Sequence, residues 1–158
     1  YCANDHYFKS GEMLIKKLVE CVSKGGNMLL NVGPDARGNI PAESLRALET
    51  IGSWMDKNSR SIYGCGRSEL EKPDYGRLTA NGKKLYFHVY EQSLGPLPLM
   101  GLQKEQIRSI RYLATGAEIS ISTSWVHSDY PEIFFADLGP DPELPDKVDT
   151  VIEVTLKE

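Results

Sequence analysis

No run of apolar residues in this sequence approaches the roughly 18 that a bilayer-spanning helix needs, so a membrane is not an expected partner. A basic cluster is missing too: 18 Lys and Arg stand against 22 Asp and Glu, a net charge of −4. A mildly acidic chain gathers phosphates poorly, which excludes nucleic acid from the expected partners. The opening residues YCANDHYFKS contain no basic region leading into an apolar stretch, so no secretory leader is visible. With no initiator Met and a helix only a few residues in, the chain reads as a truncated product. Cysteine is scarce. Cys2, Cys21 and Cys65 are odd in number and lack metal-type spacing, which argues against a disulfide framework. Cys21 falls on the apolar side of a predicted helix, where a small buried hydrophobe is the simpler reading. His88 and His127 lie on separate strand regions without ligand spacing, so neither a metal nor another cofactor is expected.

What is present is ordinary in amount and ordered in pattern. The 158 residues, 41% of them hydrophobic, suffice for one domain, or for a small domain plus part of another. Up to about residue 60 the order is helix, strand, helix. Ser10 is placed as an N-cap with Glu12 in the first turn; Leu14, Leu18, Cys21 and Val22 recur at helical spacing, and Gly25-Gly26 supplies the stop. Met28 to Val32 is a short apolar run without alternation, which suits a strand buried on both faces of a parallel sheet. Gly33-Pro34-Asp35 ends it. A second helix is predicted from Pro41, with Leu45, Leu48, Ile51, Trp54 and Met55 forming a stripe that must pack against something substantial. A single parallel strand makes no sheet, so its neighbours are expected upstream of Tyr1.

Beyond residue 76 the period switches to two. Leu85, Phe87 and Val89 alternate with Tyr86, His88 and Tyr90, just after the hairpin signal Asn81-Gly82. Further strands are predicted around Ile110 to Ala114, Ile119 to Trp125, Ile133 to Leu138 and Val151 to Leu156, with Pro140 to Pro145 as an exposed loop. Short strands between turns argue for an antiparallel sandwich. The fold class is therefore an α+β fragment, with boundaries at 1–60, a linker at 61–75, and a sheet domain at 76–158.

The segment Val22 to Pro34, VSKGGNMLLNVGP, resembles a stretch of the glycoside hydrolase family 29 α-L-fucosidases. The likeness continues through Asp35 to Pro41, Ile51-Gly52, Trp54 and Ile62-Tyr63-Gly64, and upstream at Asn4-Asp5 and Tyr7 to Ser10. It covers roughly the first 65 residues in order without a gap, a length that makes chance a poor explanation. The resemblance implies that residues 1–60 are the last helix-strand-helix part of a (β/α)8-like barrel, followed by the β-sandwich such enzymes carry. It implies a retaining mechanism with two carboxyls about 5–5.5 Å apart, and places both upstream, so that no catalytic residue lies in this chain and the chain alone is inactive. The implied partners are a fucosylated glycan, for the intact enzyme, and the remainder of the barrel. The compartment, from the resemblance only, is secreted, periplasmic or lysosomal.

Two residues are candidates for the substrate side. Asn31 stands near the C-terminal end of the predicted strand, the end from which barrel enzymes build their sites; the competing reading is a buried amide bonded to nearby backbone. Tyr1 follows what would be a Trp-Gly-Tyr element of the family, whose aromatic can line the fucose pocket. Asp5-His6 reads as a turn or cap, Glu69 and Glu71 as solvated surface, and Trp125 as core. The alternative function is a carbohydrate-binding β-sandwich module without catalysis.

Overall fold

The computed structural model describes residues 7–123, 126–139 and 143–157, without the side chains of 126 and 127. Helix α1 spans Gly11–Ser23. Ser10, in an extended conformation, accepts a hydrogen bond from the Met13 N–H at 3.2 Å, which satisfies an otherwise unpaired donor of the first turn. Gly25, at φ 80°, takes the left-handed turn that ends the helix, and Gly26 N donates back to the Cys21 carbonyl at 2.8 Å. Helix α2 spans Ala42–Asn58 with Pro41 as its N-cap, one position before the place predicted for that proline. The two helices cross closely at Gly11, where a Cβ would stand 2.5 Å from Thr50 Cβ.

The other described elements are strands β1 (Gly66–Arg67), β2 (Gly76–Asn81), β3 (Lys84–Val89), β4 (Leu97–Leu99), β5 (Ile107–Tyr112), β6 (Ser120–Ile121), a four-residue helix α3 (Val126–Asp129), β7 (Phe134–Asp137), β8 (Thr150–Leu156) and single 3-10 turns at Ser59–Ser61 and Lys104–Gln106. A five-stranded sheet runs β1-β2-β3-β8-β5 and a three-stranded one β4-β7-β6. Every pairing among the described strands is antiparallel. The β2–β3 turn is the two residues Gly82-Lys83, one position on from the Asn81-Gly82 signal, with Gly82 at φ 57° in the first turn position, where a II′-type turn takes glycine.

The five-stranded sheet is covered on both faces. On one, Leu85, Phe87, Val89, Ile152 and Val154 meet Leu97, Leu99, Phe134 and Ala136 of the smaller sheet. On the other, Tyr86 and Val151 meet Ile15, Val19, Val22 and Trp54 of the helices. Each such fully buried large apolar side chain contributes about 1.5–3 kcal/mol. This explains why Leu85 to Val89 are all buried although their sequence alternates. The covered face of α1 is centred on Leu14, Ile15, Val19 and Val22, leaving Leu18 and Cys21 only half-buried.

Two expectations need correction. Met28 to Val32 do not form a strand; the segment is extended, with Leu29 90% exposed. A strand needs a neighbour for its N–H and C=O groups, and among the described residues no backbone hydrogen bond joins 28–32 to another segment. The helix-strand-helix pattern is therefore realised as two helices and an extended link. The α2 stripe is likewise covered only in part. Trp54 is buried, Ile51 and Met55 are half-buried, and Leu45 and Leu48 are exposed.

Candidate functional site

The extended link leads into a tight loop built on one carboxylate. Asp35 Oδ1 accepts from the backbone N–H of Arg37 at 2.8 Å and of Asn39 at 2.9 Å, while Oδ2 accepts from Asn39 Nδ2 at 3.2 Å. Asp35 N donates to the Asn39 carbonyl at 2.8 Å, and Gly38, at φ 87°, permits the reversal. Hydrogen bonds from the Asn39 and Arg37 N–H groups hold the Asp35 carboxyl below its ordinary value. Its lone pairs are committed to shaping the loop. Asn31 lies on the link just before this loop and is exposed. Tyr1, Asp5, His6 and Trp125 fall outside the described residues, as does the His127 side chain.

Retaining glycoside hydrolysis needs one carboxyl that holds its proton near neutrality, which calls for an upward shift. Among the described residues, every carboxyl that is displaced moves down: Glu12, Glu20, Asp35 and Glu153. Glu20 is brought to about 2 by hydrogen bonds from Lys17 and Lys24, each at 2.7 Å. Glu69 and Glu71 are exposed. Glu20 and Glu153 serve as ion-pair partners, and Glu12 and Asp35 as hydrogen-bond acceptors.

Glu153, in the middle of β8, is fully inaccessible on the helix-facing side of the sheet. Burial alone would push its carboxyl up. The Arg111 guanidinium, which bonds it through Nε at 2.7 Å and through a second nitrogen, and the Lys84 ammonium at 3.4 Å outweigh this and hold it down. A carboxyl lowered on folding contributes stability above its unfolded value and loses it as pH falls through the folded one. Glu153→Gln is therefore expected to lower the urea midpoint at pH 7 and to close the gap with the parent chain as pH drops well below 4.5, the ordinary value. Urea titrations at pH 7, 4 and 2.5 read it; a gap of constant size would rule out the ionised pair as the source.

A second buried polar group joins the helices to the sheet. His88 Nδ1 lies 2.7 Å from Asp149 Oδ2, with both side chains at 0% exposure. Thr79 Oγ1 donates its proton to the Ser61 carbonyl at 2.7 Å, so toward His88 Nε2, at 3.2 Å, its oxygen is an acceptor. The Trp54 indole N–H donates to the Asp149 carbonyl at 3.3 Å, and the Trp54 and His88 rings stack at a tilt with centroids 6.3 Å apart. Burial, then the Asp149 charge, raises the Tyr90 phenol far above its ordinary value. Sequence reasoning passed over this group. The signal was available: a histidine inside an otherwise apolar strand, and an aspartate directly before another.

The α-L-fucosidase family model matches residues 1–60. Among curated relatives, an α-L-fucosidase of Dictyostelium discoideum is 40% identical over 88 residues, covering 53% of this chain and 19% of that protein. The human plasma α-L-fucosidase is 34% identical over 83 residues, covering 50% and 18%. Among solved structures, α-L-fucosidase isoenzyme 1 of Paenibacillus thiaminolyticus superposes with a TM-score of 0.95 at 48% identity, over 100% of this chain and 37% of that one. A family 29 α-L-fucosidase of Bacteroides thetaiotaomicron, trapped as a covalent intermediate, gives 0.80 at 25% identity over 96% and 33%. The chain thus spans about a fifth of the curated relatives (19% and 18%) and about a third of the solved ones (37% and 33%).

Proposed function

We propose, for a chain that belongs to the glycoside hydrolase family 29 α-L-fucosidases as a C-terminal portion of one, that the intact polypeptide releases terminal α-L-fucose from glycans with retention. The observation that carries this is the 0.95 superposition over the whole chain on a protein of that activity. Residues 1–60 are the closing edge of the barrel, 61–75 a linker, and 76–158 the β-sandwich that braces it. Leu45 and Leu48 of α2, exposed at 45% and 37%, support that reading, because an apolar stripe of this kind is the face a helix presents to a core, and Leu29 on the link before it is 90% exposed. The two carboxylates belong to the missing part of the barrel, one attacking the anomeric carbon, the other protonating the leaving oxygen and then activating water. Asn31 and Tyr1 stand on the substrate side.

The bracing role rests on the His88–Asp149 group, which ties Trp54 of α2 and the turn after it to the sheet. An aryl α-L-fucoside tests the assignment. The intact polypeptide is expected to hydrolyse it and the purified 158-residue chain to show no turnover. Hydrolysis by the chain alone would overturn the placement of the carboxylates, and an inert intact polypeptide would overturn the fucosidase reading.

A further inference from the structure

Four basic side chains, Arg60, Lys83, Lys84 and Arg108, line one shallow concavity of about 600 Å³ at the hairpin end of the five-stranded sheet. No carboxylate lines it, in a chain whose acidic residues outnumber its basic ones. Among the described residues, Arg60, Lys83 and Arg108 have no ion-pair partner, and Lys84 shares the buried Glu153 with Arg111. Three positive charges without counter-charge, beside a fourth that shares its carboxylate, repel one another, an arrangement that favours an anionic ligand. Two are guanidinium forks, which grip sulfate and carboxylate oxygens in pairs.

Two aromatic residues share the lining. Tyr63 is 72% exposed and offers a flat apolar face at the rim. Tyr86 is buried beneath the concavity, its phenol pushed up to about 12 by burial and by the Glu153 charge. Cations for an acidic group beside an exposed ring for an apolar sugar face are the parts of an acidic-sugar site.

We propose that this concavity binds an anionic group carried on a glycan, such as a sulfate ester, with Arg60, Lys83 and Arg108 holding the anion and Tyr63 stacking on the sugar. The need for an anion stands on the cavity alone; that a glycan carries it rests on the fucosidase reading, and the aryl-fucoside assay tests that reading separately.

Amide chemical shifts of the 158-residue chain, titrated with lactose 6′-sulfate, lactose and sodium sulfate at matched ionic strength, provide the test. The expected result is saturable shifts around residues 60–63, 82–84 and 108 with the sulfated sugar, and at least about tenfold weaker binding of either control. Lys83→Gln and Arg108→Gln, both at exposed positions, are expected to weaken binding several-fold without changing the folded spectrum. Tyr63→Ala should remove the preference for the sulfated sugar over free sulfate. Absence of shifts there, or lactose binding as tightly as its sulfate, overturns the site. Sodium sulfate binding as tightly as the sulfated sugar overturns the glycan and leaves an adventitious ion only.

Discussion

Gly76→Ala is expected to cost about 3–5 kcal/mol, a large part of the roughly 5–15 kcal/mol that holds a domain together. Gly76 opens β2 opposite Val89, and a Cβ there would stand 1.7 Å from the His88 carbonyl oxygen and 2.9 Å from its carbon. Both are backbone atoms of a central strand, so no rotamer change relieves the overlap. The hairpin would have to open at its base, where Tyr90 N donates to the Tyr75 carbonyl at 2.9 Å. Urea unfolding followed by tryptophan fluorescence measures the loss. Gly52→Ala is the control: it lies in α2 with nothing within 4 Å of the added carbon, and should stabilise by up to about 1 kcal/mol. A Gly76→Ala midpoint equal to the parent's would refute the contact.

Asp149→Ala is the second large loss expected. It leaves His88 at 0% exposure without its 2.7 Å partner, and a buried polar group stripped of its hydrogen bond costs about 1–3 kcal/mol. Asp149→Asn keeps an acceptor oxygen toward Nδ1 and is expected to lose less than half as much. Equal losses in the two variants would mean that packing, not the hydrogen-bonded pair, is what the side chain supplies. The effect should also appear locally. Trp54 donates to the Asp149 carbonyl and stacks near His88, so its fluorescence should report loosening of α2 from the sheet before global unfolding.

Local signals were legible where local chemistry decides the outcome. Ser10 capping α1, Gly25 ending it, Asn81-Gly82 turning the hairpin, and the strand from Phe134 to Asp137 all follow from neighbours within a few residues. Met28 to Val32 is extended without strand partners because its apolarity describes an environment that the described residues do not supply. The charged groups inside were unreadable for a related reason. Glu153 alternates with Ile152 and Val154 as a solvent-facing residue would, and only the helices and the neighbouring Arg111 and Lys84 make that face an interior. Of the candidate site, Asn31 is expected near the end of a strand and lies instead on an extended link, while the His88–Asp149 contact joins residues 61 positions apart, beyond any local pattern.

The sheet order β1-β2-β3-β8-β5 puts β8, the last of the described strands, between two made much earlier. Until Thr150 to Leu156 arrive, β3 and β5 each have an open edge, and the apolar faces of both lie bare to other chains. During synthesis the helices and the β2–β3 hairpin can form as they emerge, but the sheet closes only at the end, through contacts of long sequence separation. A stop codon ahead of residue 150 would leave not a slightly shorter protein but two unjoined halves of a sheet, exposed for a chaperone or a protease to find.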